Sequence, residues 1–261
     1  MDRAKYTRRL LRSLARSLLP VLPLAAGLGL AVPLTACGES SREAQRLALA
    51  RAVEQQVQET ADYTGKARLD PAVLDAIRDV PRHEFVLPAY RDYAYEDRPL
   101  PIGEGQTISQ PYIVALMTDL ASVGPDSTVL EVGTGSGYQA AVLAEIAEHV
   151  YTIEIVAPLG ERAAETLERL GYANVSVRIG DGYQGWPQAA PFDAIVVTAA
   201  PEAVPPPLIE QLKVGGRLVI PVGPEGGAQS LEVFEKRPDG SVTSRHVLPV
   251  RFVPFTRDVE H

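Results

Sequence analysis

From Thr128 onward, short apolar runs alternate with stretches of helical spacing. The runs are Thr128 to Val132, Val150 to Ile155, Val175 to Ile179, Ala194 to Val197 and Arg217 to Pro221; Ala140 to Ile146 and Pro158 to Leu170 are the clearest helices among them. Runs this short and this apolar, separated by helices, predict a parallel sheet covered on both faces. Leu231 to Lys236 and Val242 to Val247, joined by Pro238-Asp239-Gly240, predict an antiparallel hairpin that closes the sheet. The fold class is therefore α/β, with a mostly parallel sheet. Upstream, Asp70 and Pro71 open a helix with Val73, Leu74, Ile77 and Val80 at helical spacing. Arg42 to Thr60 contains no Gly or Pro and predicts a polar helix, either a tether or the domain's first helix. Residues 81 to 112 lack periodicity and are expected to be irregular, and long unpatterned segments in compact domains are often functional.

The first residues follow another logic. Arg3, Lys5, Arg8, Arg9, Arg12 and Arg16 precede an apolar run from Leu18 to Leu34, which Pro20, Pro23, Gly27, Gly29 and Pro33 interrupt. Small residues then lead to the chain's only cysteine, in Leu34-Thr35-Ala36-Cys37-Gly38. A basic start, an apolar middle and small residues before a cleavage point read as a secretory signal. The segment resembles a bacterial lipobox, which implies that Cys37 is lipidated and becomes the new N-terminus. This organisation gives a signal peptide over residues 1–36, a tether and N-terminal helix over 37–68 and the main domain over 69–261. The expected location is membrane-anchored, facing the periplasm; the alternative is cytoplasmic, with residues 1–36 a mis-called start. Gly38, by resemblance to lipoprotein sorting rules, favours the outer membrane, and Arg8-Arg9 raises a twin-arginine route that carries folded proteins.

Charge narrows the partners. The formal net charge is −8, but the first 36 residues hold six of the 25 basic groups and one of the 33 acidic ones, so the remainder carries 19 against 32, a balance of −13. No Lys/Arg cluster follows residue 16, which argues against nucleic-acid substrates, whose phosphates need a basic stripe.

The candidate chemistry centres on Leu130-Glu131-Val132-Gly133-Thr134-Gly135-Ser136-Gly137-Tyr138, an apolar strand running into three glycines and a helix. Such a turn lets a ligand lie against the backbone near a helix N-terminus. The glycines alone are ambiguous, because Gly135, Gly137 and Ala140 with Glu154 downstream also satisfy the dinucleotide pattern. Glu131 favours a cationic cofactor over a pyrophosphate, which it would repel. Gly180-Asp181-Gly182 adds a carboxylate at the sheet's carboxyl edge, suited to an adenine amino group. Glu154 could instead be a surface acid at a strand end, and Asp181 a turn former.

Several further segments decide between these. Val80-Pro81-Arg82-His83-Glu84-Phe85-Val86, Pro101 to Tyr112 with Gln106-Thr107-Ile108-Ser109-Gln110-Pro111 at its centre, the glycine turn, Gly180-Asp181-Gly182, Phe192 to Pro201 and Val250 to Phe255 together resemble the protein-L-isoaspartate O-methyltransferase family, in its order and over roughly Leu69 to Thr256. The resemblance implies a Rossmann-like S-adenosylmethionine-dependent methyltransferase fold and methyl transfer to the free carboxylate of L-isoaspartyl residues in damaged proteins and peptides. It implies Thr107 and Ser109 at the reaction site, with Ser109 holding the substrate carboxylate. Glu131, Gly133, Gly135 and Gly137 are implied to hold the cofactor's methionine part, Glu154 its ribose and Asp181 its adenine. Gln110, Phe252, Val253 and Pro254 are implied to bind substrate peptide, and no metal is implied. The product ester would collapse to a succinimide unaided. Phe255 departs from the family's usual Leu. The rivals are a small-molecule methyltransferase of the same fold and a nicotinamide-dependent oxidoreductase, which ligand-dependent stabilisation separates, and a non-catalytic binding lipoprotein, which fold alone does not exclude.

Overall fold

The computed structural model describes residues 34–257, with side chains from Ser41 onward. The proposed signal up to residue 33 and the side chain of Cys37 lie outside that range. Helix α1 (Leu34–Glu59) carries Leu49, Val53 and Val57 on one stripe, all buried. The spacing of three to four residues puts them on a single face, where they join the core formed by later helices. From Ser40 the chain forms one compact unit. The polar helix is thus the first helix of that unit, since its apolar stripe has a partner surface.

After the single turn of α2 (Ala61–Thr64), Asp70 starts α3 (Pro71–Asp79), its side chain accepting from the Ala72 N–H at 2.8 Å. Residues 81–112, expected to be irregular, contain more order than that. Two 3-10 turns, Arg82–Glu84 and Pro88–Tyr93, lead to an antiparallel hairpin of β1 (Leu100–Gly103) and β2 (Gln106–Ile108). Its turn needs positive φ at Gly103, Glu104 and Gly105. Strands of four and three residues are too short to show a period. Helix α4 (Pro111–Ala121) went unrecognised for the opposite reason: ten of its 11 residues are buried, so it has no polar face to set off an apolar stripe.

The main sheet contains β3 (Thr128–Val132), β4 (His149–Glu154), β5 (Val175–Ile179), β6 (Phe192–Val197), β7 (Leu212–Val222), β8 (Gln229–Lys236) and β9 (Val242–Val250), in the order β5-β4-β3-β6-β7-β8-β9. The first five in that order run parallel, and β8 and β9 are antiparallel, as the alternation predicts. Helices α5 (Tyr138–Ala144), α6 (Ala157–Arg169) and α7 (Pro206–Glu210) connect the parallel strands. Alternate residues of β3 enter two separate cores: Val129 joins that of α1, α3, α4 and α5, while Leu130 and Val132 join Ile153, Ile195 and Ile220. Strand order reverses at β3, with β4 on one side and β6 on the other. A reversal of this kind opens a crevice at the carboxyl ends of the strands.

If α1 belongs to the core, Leu49→Ala should destabilise the protein by about 3 kcal/mol, as other core leucine truncations do. Urea unfolding would read this as a lower midpoint at unchanged slope. A free tether would leave the midpoint where it is.

Candidate active site

The crevice is floored by the turn between β3 and α5. Gly133 adopts φ 97°, and a Cβ there would lie 2.4 Å from Thr198 Oγ1; Gly137 adopts φ 86°, and its Cβ would lie 3.2 Å from Leu167 Cδ1. Both therefore exclude a side chain. The N–H groups of Gly133 and Thr134 donate to the Ile153 carbonyl at 2.8 and 3.1 Å, tying the turn to β4.

Glu131 is fully buried just beneath. Its Oε2 accepts from the Thr152 hydroxyl at 2.5 Å, and Thr152 Oγ1 lies 2.6 Å from Thr134 Oγ1. Thr152 has one proton and gives it to Glu131, so the proton between the two threonines is that of Thr134. Glu131 Oε1 is buried without a hydrogen-bond partner among the described residues. Burial pushes the Glu131 carboxyl up to about 8, with the Thr152 hydrogen bond opposing and nearby Glu154 reinforcing the rise. Glu154 ends β4, and its carboxylate accepts the N–H of Gly135 at 2.7 Å and of Val156 at 2.9 Å.

Two further walls complete the cleft. One is the β1–β2 hairpin, which brings Gln106, Thr107, Ile108 and Ser109 to the cleft. Arg162 on α6 donates to the Ile102 carbonyl at 2.6 Å, and Ile102 Cδ1 lies 3.5 Å from where a Gly135 Cβ would be. The other is Val253 to Thr256. Ala200, beyond β6, holds it: the Ala200 N–H donates to the Val253 carbonyl at 2.9 Å and the Phe255 N–H to the Ala200 carbonyl at 3.0 Å.

The chain matches the family described as protein-L-isoaspartate(D-aspartate) O-methyltransferase over residues 55–260. It is 60% identical over 213 residues to protein-L-isoaspartate O-methyltransferase 2 of Syntrophobacter fumaroxidans, covering 82% of this chain and 86% of that one. The chain belongs to this family. With protein-L-isoaspartate O-methyltransferase 1 of Cupriavidus necator it shares 55% identity over 243 residues, 93% of each chain. A solved protein-L-isoaspartate O-methyltransferase superposes with a TM-score of 0.71 at 31% identity, over 80% of this chain and 65% of that one.

Within this methyltransferase the cleft brings together Thr107, Ser109, Glu131, Gly133, Gly135, Glu154, Val253 and Pro254. Four other expected site residues lie outside its lining. Gly137 is spent on the close approach of α6. The Gln110 amide donates to Asp97 Oδ2 at 3.0 Å and Gln56 Oε1 at 3.2 Å. The Phe252 N–H donates to Gln229 Oε1 at 2.6 Å, and the residue packs against the core. The Asp181 carboxylate accepts the Tyr183 N–H at 2.8 Å and faces Arg257 Nε at 3.5 Å, leaving its neighbour Gly182 against the cleft. Thr198 lines the cleft too, its hydroxyl donating to the Gly133 carbonyl at 2.6 Å, and the Thr134–Thr152 relay supports Glu131. Thr198 stood within a recognised segment, but its role depends on where β6 ends relative to β3, and spacing along the chain does not give that.

The donor set fits a cationic, nucleoside-bearing cofactor. A buried carboxylate oxygen without a partner suits an ammonium or sulfonium, and Glu154 on the backbone of the turn suits hydroxyls.

The raised Glu131 pKa has a signed consequence. The unfolded chain loses this proton near 4.5 and the folded chain near 8, so the unfolded state binds fewer protons between those values and stability falls as pH rises through that window. Glu131→Gln should remove this component. Melting temperatures of the two proteins from pH 4.5 to 8 should therefore diverge, the wild type losing more; parallel curves would contradict the assignment.

Proposed function

We propose that this protein repairs damaged proteins by methylating the free carboxylate of L-isoaspartyl residues, and that it does so from a lipid anchor at Cys37. The observation that carries the reaction is the meeting of the Thr107–Ser109 strand with the Glu131–Gly135 turn in one cleft, in a member of the isoaspartyl methyltransferase family.

S-adenosylmethionine supplies a methyl group already activated by its positively charged sulfur. Gly133, Gly135 and Glu131 would hold its methionine end, where the unpartnered Glu131 Oε1 offers an acceptor, and Glu154 would take the ribose hydroxyls. Asp181 shapes the adenine end by fixing the turn at Gly182. The Ser109 hydroxyl donates to one oxygen of the substrate carboxylate, and Thr107, Val253 and Pro254 flank the peptide. An isoaspartyl carboxylate, with an ordinary pKa near about 4, is already ionised at neutral pH. No general base is needed. His83, the histidine nearest this segment in sequence, is engaged by Tyr95 and Glu84 and does not line the cleft. Its burial lowers its pKa to about 4, so it stays neutral. The chain's contribution is orientation and exclusion of water.

The anchor is supported by the basic start, the apolar run and the small residues before Cys37. The match to the Cupriavidus necator relative spans 243 of the 261 residues, so it includes at least half of the first 36. The compact unit begins at Ser40, so almost no chain separates it from the proposed lipid.

The wild type should transfer methyl groups to an isoaspartyl peptide and leave its aspartyl counterpart unmodified. Ser109→Ala should lower kcat/KM about ten- to a hundredfold, the worth of one hydrogen bond to a charged group, with S-adenosylhomocysteine affinity unchanged. An unaffected kcat/KM would take Ser109 out of the mechanism.

Fractionation of cells expressing the full chain should find it with membranes, and Cys37→Ala should release it. Both forms at full length in the cytosol would dismiss the anchor.

A further inference from the structure

Arg82 has no part in the chemistry above, yet it is the largest fully buried side chain of the described residues. One of its nitrogens, Nη2, donates to the carbonyl of Arg98 at 3.0 Å and of Ser109 at 3.1 Å. These two residues flank the hairpin of Leu100 to Ile108. A single guanidinium nitrogen therefore joins both ends of the segment that carries Thr107 and Ser109. The guanidinium carbon lies 5.2 Å from the ring centroid of Tyr138, the first residue of α5 after the glycine turn. Tyr138 itself lines the cleft.

Among the described residues no carboxylate forms an ion pair with this charge, though Asp97 acts on it from a distance. Arg82 Nε and Nη1 have no hydrogen-bond partner among the described residues. Asp97, the nearby acid, accepts from the Tyr112 N–H at 2.8 Å and the Gln110 amide at 3.0 Å. A buried cation on carbonyls and an aromatic face is costly compared with an apolar side chain of similar size. What it contributes in return is geometry: a rigid planar guanidinium between the base of one wall and the Tyr138 ring beside the floor of the cleft.

We infer that Arg82 is a positioning residue for methyl transfer, bracing the Thr107–Ser109 strand against the cofactor-binding turn through the Ser109 carbonyl and the Tyr138 ring. The inference rests on the assignment of Ser109 to the substrate carboxylate. Arg82→Lys keeps the charge and loses the planar guanidinium; Arg82→Met loses both.

The test measures steady-state kinetics on an isoaspartyl peptide, S-adenosylhomocysteine binding by calorimetry, and hydrogen exchange of the hairpin amides. For Arg82→Lys the peptide KM should rise about tenfold, in the range that small misplacements cause, while S-adenosylhomocysteine affinity stays within about twofold of wild type. Exchange should accelerate across residues 100–109 alone. Arg82→Met, where it folds, should show the larger KM effect, with Arg82→Lys as partial rescue. A purely structural role would instead reduce the active fraction and so kcat, at unchanged KM. A peptide KM in Arg82→Lys equal to wild type, or a matching loss of S-adenosylhomocysteine affinity, overturns the inference. If wild type fails to methylate the peptide, the repair activity is what fails. Hairpin exchange then decides the brace: faster exchange in Arg82→Lys supports it and unchanged exchange overturns it.

Discussion

The turn at Gly133 leaves no volume for a side chain because Thr198, at the exit of β6, occupies the space where one would go. That close approach joins β3 to β6 at the point where strand order reverses, and the rest of the site is arranged round it. The Gly133 carbonyl is satisfied by the Thr198 hydroxyl and its N–H by Ile153, so the backbone is fixed from both neighbouring strands. A larger residue here would push the Thr198 hydroxyl off the Gly133 carbonyl and would be strained at this positive φ, two residues from Ala200, which holds the segment of Val253 to Phe255. One steric constraint thus sets the distance between the floor and one wall.

Charge is distributed on a different plan. The main domain is strongly acidic, but two of its fully buried ionisable groups, Glu131 and Arg82, lie beside the cleft. Glu131, next to the end of β3, has one oxygen satisfied and one not, and Arg82 lies behind Ser109 without an ion pair among the described residues. A buried carboxyl group is thus placed under the cofactor side and a cation behind the substrate side. That order matches a reaction in which a positive sulfur meets a negative carboxylate. Low polarity in the interior makes both groups more effective than they would be at the surface.

The parallel sheet and the closing hairpin were legible because they are repetitive: short apolar strands alternate with helices, and a strand such as β3 is apolar on both faces because it enters two separate cores. The glycine turn and Glu154 were legible because their spacing follows from backbone geometry. On the substrate side the resemblance named Thr107, Ser109, Val253 and Pro254, which line the cleft, but the local structure that carries the first two was not legible. Residues 81–112 form short pieces, each held by a different side chain, such as Asp97 on Tyr112 and Arg82 on Ser109, and no period connects them. Helix α4 disappeared into uniform apolarity. Asp181 adds a local contact that motif spacing does not give, since its carboxylate also accepts the Tyr183 N–H and caps the turn of Gly182–Gln184.

The depth of the cleft has a bearing on which damage the enzyme can reach. Thr107 is exposed at the rim, Ser109 is half-buried, and Glu131 is wholly enclosed. A modified residue must descend between the hairpin and the Val253–Thr256 segment, with its own main chain threading the gap. A residue locked in a client's helix or sheet cannot make that descent. Repair would then be selective for slack: altered linkages in loops, tails and partly melted regions are accessible, and those in rigid cores wait until the client itself loosens.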